Sequence, residues 1–88
     1  FSSYFLAFET GATLEIMHKP GFGSCPPGEL YGWAHLAISV GSREEVDALT
    51  EKLRADGSTV AGNPRLTGDG YYESVILDPE GNRVEITV

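Results

Sequence analysis

Two stretches, residues 33–40 and 82–88, alternate so strictly that each reads as a β-strand. In Trp33-Ala34-His35-Leu36-Ala37-Ile38-Ser39-Val40 the apolar row is Ala34, Leu36, Ile38 and Val40. In Asn82-Arg83-Val84-Glu85-Ile86-Thr87-Val88 it is Val84, Ile86 and Val88. Successive side chains of a strand point to opposite faces. His35 and Glu85 therefore stand on the face opposite the apolar rows. An imidazole and a carboxylate in that position are donor types that a divalent metal accepts.

Eighty-eight residues allow one small domain. The net charge of −7 argues against a general nucleic-acid binder, which needs a basic face to displace counterions. A single cysteine, Cys25, rules out an internal disulfide and fits a reducing, cytoplasmic compartment. No apolar run approaches the ~20 residues that cross a bilayer as a helix, so no membrane partner is expected. The sequence opens at Phe1 inside a β-like run with no initiator methionine, which suggests that an N-terminal piece is missing.

Three segments follow from the punctuation of the chain. Residues 1–18 read as a hairpin: a strand over 4–9, a turn at Thr10-Gly11, and a return strand over 12–17. Leu14 and Ile16 share one face of the return strand and leave Glu15 on the other. Residues 19–32, with Pro20, Pro26, Pro27, Gly21, Gly23, Gly28 and Gly32, read as a linker. Residues 33–88 read as a β-α-β-β-β module. Its helix starts at Ser42, with Glu45 three residues on as in a capping box. It buries a stripe of Val46, Leu49, Thr50 and Leu53 and stops at Gly57. A short strand near 59–61, a turn at Gly62-Asn63-Pro64, a long strand over 70–77 and a tight turn over 78–82 lead into the final strand.

Taken singly, a histidine on a strand is more often a hydrogen-bonded structural residue than a ligand, and a lone strand glutamate usually faces solvent. Three strands that each carry a metal-type side chain on the non-core face make a stronger case. Imidazole with carboxylates suits Zn, Ni, Co, Mn or Fe(II), and a catalytic metal keeps a position open for water or substrate. His18, beside Lys19 and Pro20, reads as an exposed loop residue. Cys25 has no neighbouring histidine to activate it. Gly21-Phe22-Gly23-Ser24 lacks the flanking strand, helix and Lys-Ser/Thr of a phosphate loop. Trp33, Tyr71 and Tyr72 are candidates to line a pocket, and Arg65 and Arg83 to meet an anionic substrate.

The stretch His35-Leu36-Ala37-Ile38-Ser39-Val40 and the more specific Asp78-Pro79-Glu80-Gly81-Asn82-Arg83-Val84-Glu85-Ile86 resemble the opening and close of a module in the vicinal oxygen chelate superfamily. That superfamily includes glyoxalase I, extradiol dioxygenases and the fosfomycin- and bleomycin-resistance proteins. Thr13-Leu14-Glu15-Ile16-Met17 resembles the close of a preceding module. The resemblance implies an α+β fold of paired βαβββ modules whose curved mixed sheet forms a metal-binding cup, the first module being incomplete in this chain. It implies Glu15, His35 and Glu85 as ligands of a divalent metal ion. A fourth ligand, usually a histidine on the first strand of the first module, has no counterpart here.

The function so implied is a glyoxalase-like lyase or isomerase, in which Glu15 or Glu85 moves a proton on a carbon next to a carbonyl. Two alternatives share the fold. One is an extradiol dioxygenase-like enzyme, in which Glu15 would be idle. The other is a non-catalytic binder of an aromatic or cationic small molecule, of the antibiotic-resistance type, in a cup lined by Trp33, Tyr71 and Tyr72. A small-molecule substrate is the expected partner. The resemblance also implies a homodimer that completes the cup; the apolar strand at 4–9 is compatible with it, and a monomer with the missing N-terminal segment restored is equally compatible.

Overall fold

The computed structural model describes residues 1–21, 23 and 31–88. Cys25 and most of the glycine- and proline-rich linker lie outside the described residues. The elements are β1 (Ser2–Ala7), β2 (Thr13–His18), β3 (Leu36–Ser39), α1 (Arg43–Ala55), β4 (Val60–Leu66), β5 (Tyr72–Leu77) and β6 (Arg83–Thr87). They make a two-stranded sheet, β1-β2, and a four-stranded sheet of order β3-β6-β5-β4. The order from β3 onward is the expected β-α-β-β-β. The fold is α+β, and its sheet is not closed.

Helix α1 forms where the local chemistry demands it. The Glu45 amide donates to Ser42 Oγ at 3.2 Å, which satisfies one of the free N–H groups of the first turn. At the other end the amides of Gly57 and Ser58 donate to the carbonyls of Arg54 and Leu53, at 3.1 and 2.9 Å. This is a Schellman closure, and it needs the positive φ of 98° that Gly57 adopts. The helix packs on β4, β5 and β6. Its stripe meets the sheet through buried Val46 and Thr50, and Ile86 is buried with them. Thr50 Oγ1 donates to the Val46 carbonyl at 2.6 Å and lies 2.7 Å from Ser74 Oγ, so the buried hydroxyls satisfy each other.

Strand pairing then places the other face. β3 and β6 run parallel, with Leu36 opposite Val84 and Ala37 opposite Glu85. β6 and β5 run antiparallel, with Ser74 opposite Ile86 and Val75 opposite Glu85. Since Ser74 and Ile86 face the helix, Val75 and Glu85 face away from it. Val75 is nevertheless 1% exposed. Its β4 partner is Gly62, and a Cβ built on Gly62 would lie 3.4 Å from Arg65 Nη1 and 3.6 Å from Val75 Cβ. On the face opposite the helix, the Arg65 side chain thus lies over Gly62 next to Val75.

Several boundaries differ from the sequence reading: β1 runs over Ser2–Ala7 rather than 4–9, and β5 begins at Tyr72 rather than at 70. β3 is four residues long, and Trp33, Ala34 and His35 precede it. β6 begins at Arg83, so nothing pairs with residues ahead of His35. β4 runs through Gly62-Asn63-Pro64, where a turn was expected, and absorbs the irregularity as register shifts between Val60 and Arg65. An edge strand tolerates proline, whose missing N–H can face away from the ladder.

Candidate functional site

His35 and Glu85 meet. His35 Nε2 lies 3.0 Å from Glu85 Oε1, with the side chains 38% and 20% exposed. The cause is topological. β3 and β6 are adjacent and parallel, and a residue just before β3 and one near the middle of β6 share the face away from the helix.

Glu73 belongs to the same face and was not singled out from sequence. It stands opposite Thr87 in the ladder, diagonal to Glu85. Burial, first, and then the charge of Glu85 hold the Glu73 carboxyl above its ordinary value of 4.5; Arg65 pulls it the other way. Arg65 is the β4 partner of Glu73. The free face therefore carries a row of ionisable groups, His35, Glu85, Glu73 and Arg65, drawn from four strands or their flanks. The signal was present in Tyr72-Glu73-Ser74-Val75: once Ser74 faces the helix, Glu73 cannot.

Glu15 is not brought to this row. It sits on β2 opposite Phe5, and the strands of the hairpin contact only each other among the described elements. Among the described residues no three His, Cys, Asp or Glu side chains form a metal-binding group. His18 is the last residue of β2, paired with Ser2, and is exposed. Tyr72 is on the helix side, not in a cup: its hydroxyl donates to Asp47 at 2.6 Å and Arg43 lies 4.9 Å over its ring. Tyr71 is 58% exposed.

The donor pair itself suits a metal. Bonds of about 2.1 Å at 90–110° separate two ligand atoms by about 3.0–3.4 Å. His35 Nε2 and Glu85 Oε1 are 3.0 Å apart. An imidazole nitrogen and a carboxylate oxygen are also the mixed donor set of first-row divalent metals. Two protein ligands are fewer than the three usual at a catalytic zinc, and further donors would have to join them.

The family model for the Glyoxalase/Bleomycin resistance protein/Dioxygenase superfamily matches residues 2–86. The chain belongs to that superfamily. An uncharacterized protein of Bacillus subtilis (strain 168), YqjT, is 40% identical over 58 residues, covering 62% of this chain and 45% of the relative. A glyoxalase/bleomycin resistance protein/dioxygenase family enzyme from Burkholderia phytofirmans PsJN superposes with a TM-score of 0.58 at 35% identity, over 67% of this chain and 47% of that one. A hypothetical protein from S. aureus, SA1046, gives 0.59 at 27% identity, over 70% and 44%. This chain thus spans about half the length of these relatives. The superfamily often uses divalent metals. Among the described residues no helix is long and apolar enough to cross a membrane.

Proposed function

We propose that this chain carries part of the metal site of a glyoxalase-like enzyme, a lyase or isomerase acting on a small oxygenated substrate. The supporting observation is the 3.0 Å approach of His35 Nε2 to Glu85 Oε1 across the β3–β6 pair. His35 and Glu85 would hold the divalent ion. Donors from a second copy of the chain, its Glu15 among them, would complete the shell. The bound metal supplies a Lewis acid that chelates two adjacent oxygens and offsets the negative charge developing on them. The protein contributes position. Glu85 is fixed by its neighbours on β3 and β5, and Glu73 stands diagonal to it on the same face. A carboxylate so placed can accept the proton from carbon next to a carbonyl.

A second reading, a non-catalytic small-molecule binder, is favoured by the count of donors: only two converge among the described residues. Metal titration followed by calorimetry separates the readings. Tight stoichiometric uptake that is lost in His35→Ala supports the metal site, whereas a binder ignores that change. Isomerisation of a methylglyoxal–thiol adduct, assayed beside catechol cleavage on the metal-loaded protein, then separates lyase from dioxygenase. Absence of both activities at full metal occupancy removes both enzymes from consideration.

A further inference from the structure

A cavity of about 390 Å³ opens where β3 and β6 begin and the 78–82 turn passes. Its walls include Trp33, His35, Leu36, Asp78, Arg83 and Val84. The volume falls within the range of about 300–1,000 Å³ typical of small-molecule sites. We infer that this cavity is the substrate-side pocket of the His35–Glu85 site, and that it takes a small organic anion with an aromatic or branched apolar body. The inference rests on the metal-site reading for its connection to chemistry.

Three observations lead there. His35 forms part of the wall, so an occupant lies against the candidate metal ligand. Trp33 is 98% exposed, and it lines the cavity together with Leu36 and Val84, so the wall includes apolar surface and an accessible indole. Arg83 supplies the sign. The ion pairs among the described residues are His35–Glu85, Lys52–Asp56 and Arg54–Glu51, so the Arg83 guanidinium is not committed to a carboxylate there. The acid of the wall is committed elsewhere. Asp78 Oδ1 accepts the amides of Glu80 and Asn82 at 3.0 and 2.7 Å, and Oδ2 accepts Asn82 Nδ2 at 2.9 Å. Arg83 is two residues before Glu85 on β6 and shares its face. A planar guanidinium beside an apolar wall pairs with a carboxylate in two parallel hydrogen bonds and rejects the uncharged analogue.

Trp33 is the single tryptophan of the chain, so its fluorescence reports on this cavity alone. The full chain is titrated in the presence of EDTA with phenylacetate, phenylacetamide and acetate. Phenylacetate is expected to give a saturable change in emission, with the neutral amide at least about tenfold weaker, because a charge-assisted hydrogen bond is lost. Acetate, lacking the apolar body, is expected to be weak. Arg83→Gln should reduce phenylacetate to the level of the amide, Arg83→Lys should retain part of the difference, and Lys52→Gln on the helix should change nothing. No saturable response to phenylacetate, equal binding of the amide, or unchanged binding in Arg83→Gln overturns the inference. Since EDTA removes metal, a chain that selects phenylacetate but takes up no metal loses the metal-site reading and keeps the pocket. A chain that takes up metal but ignores phenylacetate does the reverse.

Discussion

The hairpin β1–β2 and the module β3–β6 use the same strand-forming residues, yet only one of them buries what it presents. In the hairpin Tyr4, Phe5, Ile16 and Met17 are 49–67% exposed, and both faces carry apolar side chains. In the module Val46 and Ile86, on the face between helix and sheet, are at most 2% exposed. The difference is the second layer. Helix α1 lies on the four-stranded sheet, while β1 and β2 contact no other element among those described. Alternation selects a face, but burial needs something to cover it, and two strands alone are marginal in water.

The largest expected effect tests that contrast directly. Ile86→Ala should cost about 2–5 kcal/mol in urea denaturation, because it empties a filled site between helix and sheet. Ile16→Ala in the hairpin should cost about 0.5 kcal/mol or less, as surface changes do. Equal losses would mean that the hairpin is covered in solution, as in the proposed dimer.

The next effect probes how the layers are joined. Thr50→Val leaves the buried Ser74 hydroxyl without its partner and should cost about 1–3 kcal/mol. Adding Ser74→Ala should restore part of that loss, and a double-mutant cycle measures the coupling. Strict additivity would break the view that these two hydroxyls tie helix to sheet. Ser42→Ala, which removes the cap, should cost about 1 kcal/mol in the same assay.

The smallest effect is a pH dependence at the outer rim of the helix–sheet contact. The hydrogen bond to Asp47 raises Tyr72 above its ordinary value of 10.0, with burial and the Asp47 charge acting the same way and Arg43 opposing. A raised value means that the folded state favours the protonated phenol. The contribution is fully present below pH 10.0 and is lost as pH rises through the raised value. Tyr72→Phe should therefore lose stability relative to the parent at neutral pH, and the gap should close in strongly alkaline solution. A gap independent of pH would dissociate Tyr72 from this role.

Much of the fold was legible locally. Ser42, Glu45 and Gly57 marked the helix ends, and the alternation at 70–77 and 82–88 marked β5 and β6. The family was legible from the His35 and Glu85 stretches. The length of β3 was not, because residues 33–35 alternate well but have no paired neighbour on β6. The continuation of β4 through Pro64 was not, because only an edge position makes proline tolerable there. Of the candidate site, the His35–Glu85 pair was anticipated, whereas Glu73 went unnoticed and Tyr72 turned out to belong to the helix face.

The sequence by itself determined which side of the regular strands β3, β5 and β6 each residue occupies, since that depends only on a period of two along the chain, which the register shifts of β4 interrupt. It also determined where the helix starts and stops, through caps that act within a few residues. Only the tertiary structure decided which residues are neighbours: His35 beside Glu85, Glu73 beside Glu85, Arg65 across from Glu73. Those contacts depend on the strand order β3-β6-β5-β4 and on the parallel return of β6 to β3. That order is set by how the helix packs over the whole sheet, and no short window of sequence contains it.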